Sequence, residues 1–304
     1  MAFKGTFDIS VPASVANLGG GFDTLAVAVQ LYLRVRILDV REDASARLTV
    51  AESSPPVRGR NAVERAFEAA ARWTGLKAPS VTVEAESEIP MAAGLGSSAA
   101  AAVAGLRVFG RVTQPLPEGV LLAIAASLEG HADNAAAALH GGLTSVVERQ
   151  GHEPDVMRWE WPEDLRLIVA TPSAGLSTSK ARAALPDVLP RADAVFNLQR
   201  VLSLVHALRN GEYARLREAV GDRWHQPARA ALIPELQAVL ELDDPEILGA
   251  FLSGAGPSTA ILARRDFDRL EQLIGSTYQR AGCAAAVRTL RVHQPAPVGQ
   301  ETTV

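Results

Sequence analysis

The sequence has 304 residues, of which 48% are hydrophobic and 21% charged, with a formal net charge of −4. That length accommodates one large domain or two modest ones, and the balance is globular rather than disordered, collagenous or disulfide-stapled. The charge excludes a basic surface for nucleic acid or anionic lipid, and a lone cysteine, Cys283, excludes an internal disulfide and fits a reducing compartment.

In chain order, residues 7–11 read as a short strand that Pro12 ends, before the turn Gly19-Gly20-Gly21. Residues 27–40, rich in β-branched and aliphatic side chains, predict one or two strands. A helix is expected over 61–74, where Ala62, Val63, Ala66, Phe67, Ala70 and Trp73 repeat at helical spacing and Gly75 stops the run. Residues 80–86 alternate as a strand, and 97–109 form an Ala-rich helix. Two helices meeting near Glu129-Gly130 fill 120–139, Gly141-Gly142 ends the second, and 143–147 return as a strand. The segment 151–163, with Pro154, Pro162 and two tryptophans, is read as a crossing between halves. Beyond it come a buried strand (165–170), helices (191–210 and 212–220), strands (247–253, 259–263 and 284–292) and a helix over 266–281. The tail after His293 is predicted to be disordered. Strands and helices that mix without strict alternation predict an α+β architecture. The N-terminus lacks the apolar core of a signal peptide and no apolar run is long enough to span a bilayer, so a soluble cytoplasmic protein is expected.

The strongest chemical signal is the stretch Pro90-Met91-Ala92-Ala93-Gly94-Leu95-Gly96-Ser97-Ser98-Ala99-Ala100. A strand ends, a Gly/Ala-rich turn follows, and a helix opens at the serines. Unpaired N–H groups and the positive end of the helix dipole make such a start a phosphate site, and the glycines let the backbone approach the anion. Ser97 and Ser98 serve either as caps or as donors to phosphate and Mg²⁺. Taken alone, the loop also fits a capped core helix after a glycine turn. The dinucleotide fingerprint G-x-G-x-x-A is met at Gly94, Gly96 and Ala99, but a polar, Pro-bearing stretch separates the strand from the first Gly, and no acidic residue closes a following strand. No G-x-x-x-x-G-K-[ST] sequence is present, which excludes a Walker loop.

Three further constellations carry polar groups. The run from Pro12 to Asp23 brings the Asn17 amide and the Asp23 carboxylate to the triple-glycine loop, suited to a hydroxyl and an ammonium; a turn in which both bond their own backbone is the alternative. Glu129-Gly130-His131-Ala132-Asp133-Asn134 places four polar side chains between apolar helices, where they need partners or a ligand. One His and two carboxylates without H-x-x-x-H make a poor zinc site, whereas Mg²⁺ with phosphate needs only one or two carboxylates. Ser253-Gly254-Ala255-Gly256-Pro257-Ser258 is a second glycine turn, either an anion site or a plain hairpin.

Taken together these segments resemble the GHMP kinases, a superfamily of small-molecule kinases. Gly94 to Ala99 looks like its ATP loop and Ser253 to Ser258 like its C-terminal glycine motif. Finer matches resemble the homoserine kinase branch: Ser14 to Asp23, Glu129 to Asn134, Thr171-Pro172 through Ser177-Thr178, Ala181-Arg182 and Leu185-Pro186, and Gln226-Pro227-Ala228-Arg229 with Ile233-Pro234. Val15, Gly20, Ala132 and Ala135 depart from residues common in that branch without removing a polar contact. The resemblance implies the GHMP kinase two-domain fold, with a ribosomal protein S5 domain 2-like N-terminal domain (1–160) and a ferredoxin-like C-terminal domain (161–304). It implies ATP in the cleft between them, bound by residues 90–100, Gly254 and Gly256, with Mg²⁺ held by Ser98 and Glu129. Asn17, Asp23, His131, Asp133, Arg182 and Arg229 would line the site for L-homoserine, Asn134 would lie near the reacting hydroxyl, and Ser98, Glu129, Asn134 and Arg182 would be the catalytic set. A homodimer without nucleic-acid or membrane partners completes the expectation. Rivals are a GHMP kinase acting on mevalonate or a sugar, a catalytically silent binding protein of the same fold, and an NAD-dependent dehydrogenase.

Overall fold

The computed structural model of the chain describes residues 8–294, apart from 44, 58, 60, 150 and 151. The N-terminal sheet is built around one long strand, β2 (Leu25–Arg41), where the sequence leaves open one strand or two. β1 (Ile9–Ala16) runs antiparallel along one edge of β2. Along the other edge lie β4 (Ser80–Ser87) and β5 (Leu143–Val147) in tandem, also antiparallel. β3 (Leu48–Ser54) adds parallel to β4, and β6 (Asp155–Trp159) adds antiparallel to β5. The gap between β4 and β5 is closed by the last described residues: Gln30 N–H donates to the Arg291 carbonyl at 2.9 Å, Val29 bridges Val292, and His293 N–H donates to the Ala28 carbonyl at 2.9 Å.

Pro12 does not end the first strand. A proline cannot complete a ladder, but a bulge between Pro12 and Ala13 absorbs it and β1 continues to Ala16. Phe7, the expected start, lies outside the described residues.

Helices α1 (Ala62–Thr74), α2 (Ser97–Val112), α3 (Glu118–Glu129) and α4 (Asp133–His140) accompany this sheet. Asn61 caps α1: its Oδ1 accepts from Val63 N–H at 3.0 Å, while Glu64 accepts from Asn61 N–H at 3.2 Å. Such a reciprocal cap contributes about 1 kcal/mol. Phe67 of α1 meets Phe109 of α2 edge to face, 5.4 Å between centroids, which fixes one helix on the other. α4 seats on the sheet through small side chains, with Ala137 packed among Ala16, Ala26 and Ala28. That close seating brings the N-terminal end of α4 up to the loop after β1.

The chain changes sheets between Trp159 and Arg166, so the predicted crossing over 151–163 in fact contains β6. The second sheet comprises β7 (Arg166–Pro172), β8 (Gly249–Leu252), β9 (Thr259–Ala263) and β10 (Ala285–Leu290). Its order, β10-β7-β9-β8 and antiparallel throughout, is the fourth-first-third-second arrangement of a ferredoxin-like unit. Between β7 and β8 run α5 (Thr178–Ala183), α6 (Arg191–Asn210), α7 (Leu216–Ala219), α8 (His225–Arg229) and α9 (Leu236–Leu240). α10 (Phe267–Arg280) links β9 to β10 and packs its Leu270, Ile274 and Tyr278 onto the sheet. The helix expected over 212–220 is broken, because a 3₁₀ turn, Tyr213–Arg215, precedes the single turn of α7. Of the tail predicted to be disordered, Gln294 is held by a 2.8 Å bond from its Nε2 to the Trp161 carbonyl, and the rest lies outside the described residues. The α+β mixture is as expected, and among the described residues no helix is long and apolar enough to cross a membrane.

Candidate active site

α2 starts without a side-chain cap. Gly96 sits at the N-cap with φ +69°, and Ala100 is the first residue whose N–H finds a helical partner, the Gly96 carbonyl at 2.8 Å. The N–H groups of Ser97, Ser98 and Ala99 have no protein acceptor among the described residues, so the serines are not caps. Close approach explains two glycines here. A Cβ on Gly96 would stand 2.2 Å from Ser14 Oγ, and one on Gly94 2.2 Å from the Ser253 carbonyl oxygen. Ser253 Oγ donates to the Gly94 carbonyl at 2.6 Å, so the C-terminal glycine turn is clamped directly to the loop before α2.

The loop after β1 carries three non-glycine residues in the left-handed region: Asn17 (φ 73°), Leu18 (φ 45°) and Asp23 (φ 51°). Each costs on the order of 1 kcal/mol, strain of the kind that collects at functional loops. Asn17 Oδ1 accepts from Asp23 N–H at 3.2 Å, the local turn that was one reading of this motif. Its Nδ2 also donates to the Gly254 carbonyl at 3.0 Å, tying the two glycine turns together. Asp23 accepts two 2.8 Å hydrogen bonds from Arg182 of α5.

Glu129 ends α3 and Asp133 begins α4. Asp133 suits the positive start of its helix, whereas Glu129 places a carboxylate at the negative end of its own, an arrangement that favours a cation nearby. Ser98 Oγ donates to Glu129 Oε1 at 2.7 Å. His131 Nδ1–H donates to Asp133 Oδ1 at 2.6 Å, and that oxygen also accepts from Asn134 N–H at 2.8 Å. Burial alone would lower the pKa of His131, but the hydrogen bond and charge of Asp133 outweigh it, and the net shift is upward. Ligand atoms of Asp23, His131 and Asp133 lie within 4.8 Å of one another, yet Arg182 already occupies Asp23, so this cluster is an ion-pair network rather than a metal cage.

Arg229 is 1% exposed. Its Nε donates to the Ala181 carbonyl at 3.2 Å and its Nη1 to the Gly254 carbonyl at 2.9 Å. Among the described residues no carboxylate forms an ion pair with it. Burial, with repulsion from Arg182, pulls its pKa down to about 10, still protonated at neutral pH. Both guanidiniums lie over the Phe22 ring, 5.5 Å from its centroid for Arg182 and 5.4 Å for Arg229.

These elements enclose a cavity of about 270 Å³. Its lining brings together Asn17, Asp23, Glu129, His131, Asp133, Asn134, Arg182, Arg229, Gly254 and residues 92–99. Pro90, Met91, Ala100 and Gly256, also expected at the nucleotide, do not line it. Ala100 is buried in the packing of α2, and Gly256 turns against Leu252 and Ile233. Met91 instead lines a second, more apolar cavity of about 260 Å³ with Pro55, Val57, Asn61 and Val63, which shares Ser97 and Ser98 with the first. Phe22, Leu176 and Thr178 line the first cavity although sequence reasoning did not single them out. Phe22, beside Asp23, and Thr178, four residues before Arg182, stand inside motifs already quoted. Pro55 and Val57 lie in a stretch without periodicity and left no signal.

Residues 61–142 match the GHMP kinases N terminal domain, and residues 204–286 the GHMP kinases C terminal domain. A homoserine kinase of Solibacter usitatus is 36% identical over 286 residues, covering 92% of each chain. The chain belongs to the homoserine kinase family of the GHMP kinases. A homoserine kinase of Thermus thermophilus is 41% identical over 258 residues, covering 84% of this chain and 86% of that one. The crystal structure of homoserine kinase from Cytophaga hutchinsonii has a TM-score of 0.81 at 27% identity, covering 97% of this chain and 98% of that one. The GHMP kinase fold and a small-molecule kinase follow, and the dehydrogenase reading falls.

Proposed function

We propose that the chain transfers the γ-phosphoryl group of ATP to the side-chain hydroxyl of L-homoserine, giving O-phospho-L-homoserine for threonine biosynthesis. The observation that carries this reading is the cavity itself. It joins an uncapped helix start, suited to phosphate, to a buried guanidinium without a carboxylate and to a nearby Asp–Arg pair, suited to an amino acid.

Residues 94–99 receive the triphosphate, with the free N–H groups of Ser97, Ser98 and Ala99 as donors. The apolar cavity beside Ser97 and Ser98 takes the nucleoside, which is the part assigned to Met91. Arg229 and Arg182 take the carboxylate of homoserine, and Asp23 its ammonium. Asn17, His131 and Asp133 complete the walls, and Asn134 stands near the hydroxyl. The hydroxyl oxygen attacks the γ-phosphorus as the bond to ADP breaks, and the hydroxyl proton is released. Such transfer depends mainly on positioning and on electrostatic stabilisation, and no dedicated base is assigned.

Ser98 and Glu129 fit Mg²⁺, because a hydroxyl and a carboxylate meet at the phosphate end and the carboxylate sits at a helix C-terminus. When bound, the ion neutralises charge on the phosphate oxygens. The division into units of 1–160 and 161–304 is proposed from the change of sheet between Trp159 and Arg166. A cytoplasmic location is supported by the single cysteine and a homodimer by the resemblance; sedimentation of the purified chain tests the latter.

A coupled assay of ADP release over homoserine, threonine, serine, mevalonate and galactose tests the reaction. Homoserine is expected to be the best substrate. Faster turnover of mevalonate or galactose would transfer the assignment to another GHMP kinase, and no turnover of any would leave a silent binding protein.

A further inference from the structure

His225, in the first turn of α8, has no exposed surface and does not line the cavity. Its Nε2 lies 2.8 Å from the Gly19 carbonyl oxygen, and its Nδ1 lies 3.1 Å from Nη1 of Arg229. A carbonyl only accepts and a guanidinium only donates. These partners therefore admit one state of the ring, neutral with its proton on Nε2.

Arg229 has five N–H donors. Nε–H goes to Ala181, and Nη1 donates to both His225 and Gly254. Both remaining donors are on Nη2, for which the described residues supply no acceptor. Gly254 also accepts from Asn17 Nδ2 at 3.0 Å, so the contacts form a ring through the loop of Asp23, α8 and the C-terminal glycine turn. The imidazole is the one side chain in that ring that links Arg229 to the Gly19 backbone.

We infer that His225 is a positioning residue: by accepting from Nη1 it orients the Arg229 guanidinium so that Nη2 is presented to the carboxylate of the amino-acid substrate. This rests on the reading of the cavity given above. The charged groups facing the ring are Asp222, with Oδ2 3.6 Å from Nε2, Arg229, and more distantly Asp23. Burial is the largest influence and lowers the pKa of His225; Asp222 and the Gly19 carbonyl oppose it, and Arg229 adds to the lowering. The neutral ring is thus the ordinary state. Protonation in acid would set an Nδ1–H against Arg229 and break the contact.

Three variants of the full chain separate positioning from packing. H225N keeps an amide oxygen near the place of Nδ1 and so an acceptor for Arg229. H225Q keeps a donor near the place of Nε2 for Gly19 and loses that acceptor, and H225L loses both. Homoserine and ATP are varied separately in steady-state kinetics, with homoserine binding followed by calorimetry. H225Q and H225L are expected to raise KM for homoserine about tenfold, the scale of one hydrogen bond to a charged group, with KM for ATP within about twofold. H225N is expected to stay within about threefold of wild type, and the acid fall of kcat/KM for homoserine is expected to be weaker in it than in wild type. Should H225L fail to fold, H225Q against H225N decides. Equal homoserine KM in H225Q and H225N, or a parallel rise for both substrates, overturns the positioning role alone. A wild type that neither binds nor turns over homoserine overturns the cavity assignment, and the inference with it.

Discussion

Asp23 and Arg182, 159 residues apart in the chain, meet through two parallel hydrogen bonds of 2.8 Å. One comes from the loop after β1 and the other from α5 beyond β7, so the pair joins the two halves at the rim of the cavity. The pair holds a carboxylate and a guanidinium side by side at the cavity, the arrangement on which the proposed binding of a zwitterion rests.

Asp23→Ala removes the carboxylate proposed for the ammonium. KM for homoserine should rise about tenfold or more while KM for ATP moves less than about twofold. The two side chains are 34% and 33% exposed, so the loss of stability stays within about 1 kcal/mol. Steady-state kinetics and a urea titration check both halves of this expectation. Equal effects on the two substrates would count against the assignment of Asp23.

Ser98→Ala and Glu129→Gln should act on turnover rather than on homoserine. kcat is expected to fall about tenfold or more in each, and the Mg²⁺ concentration for half-maximal rate to rise. A Mg²⁺ titration at saturating ATP and homoserine provides the measurement. An unchanged titration in both variants removes the metal assignment.

Gly96→Ala tests the close approach to β1. The added methyl would lie 2.2 Å from Ser14 Oγ at a φ of +69°, so a loss of about 2 kcal/mol or more is expected, together with loss of ATP binding. Gly130→Ala is the control. Gly130 has φ +80° but nothing within 4 Å, and only the backbone cost of about 1 kcal/mol applies. Equal losses in the two variants would show that the contact with Ser14 is not what demands a glycine at 96.

His131 sets a pH dependence of stability. Its folded pKa is raised, so the stabilisation is fully present below the ordinary value near 6.5 and is lost as pH rises through the folded value. The urea midpoint of the wild type should therefore fall relative to His131→Gln between about pH 6 and pH 8. A constant difference across that range would contradict the Asp133 pairing.

The site was legible where local chemistry writes a pattern. Asn61 and Gly75 mark both ends of α1, the glycines before Ser97 mark the uncapped start of α2, and β5, β9 and α6 have the bounds that the sequence predicts. It was illegible where tertiary contacts override local signals. β3 exposes much of its length and alternates only over residues 48–51, because its pairing with β4 rather than a buried face holds it. Pro12 reads as a strand end, and only the bulge opposite β2 shows otherwise. Asp23 and Arg229 were found by type, but that Asp23 pairs with Arg182 while Arg229 pairs with no carboxylate is a fact of three dimensions. A solitary His225 carries no pattern at all.

The closure of the β2 edge by residues 291–293 has a consequence for biosynthesis. A ribosome delivers β1 to β6 long before it delivers that closing segment. The first sheet therefore waits with bare amides and carbonyls in the middle of its longest strand until residues 291–293 have emerged, after the whole second sheet. Nascent chains halted after residue 160 should remain sensitive to proteases along β2, and completion of the first sheet should follow synthesis of the second.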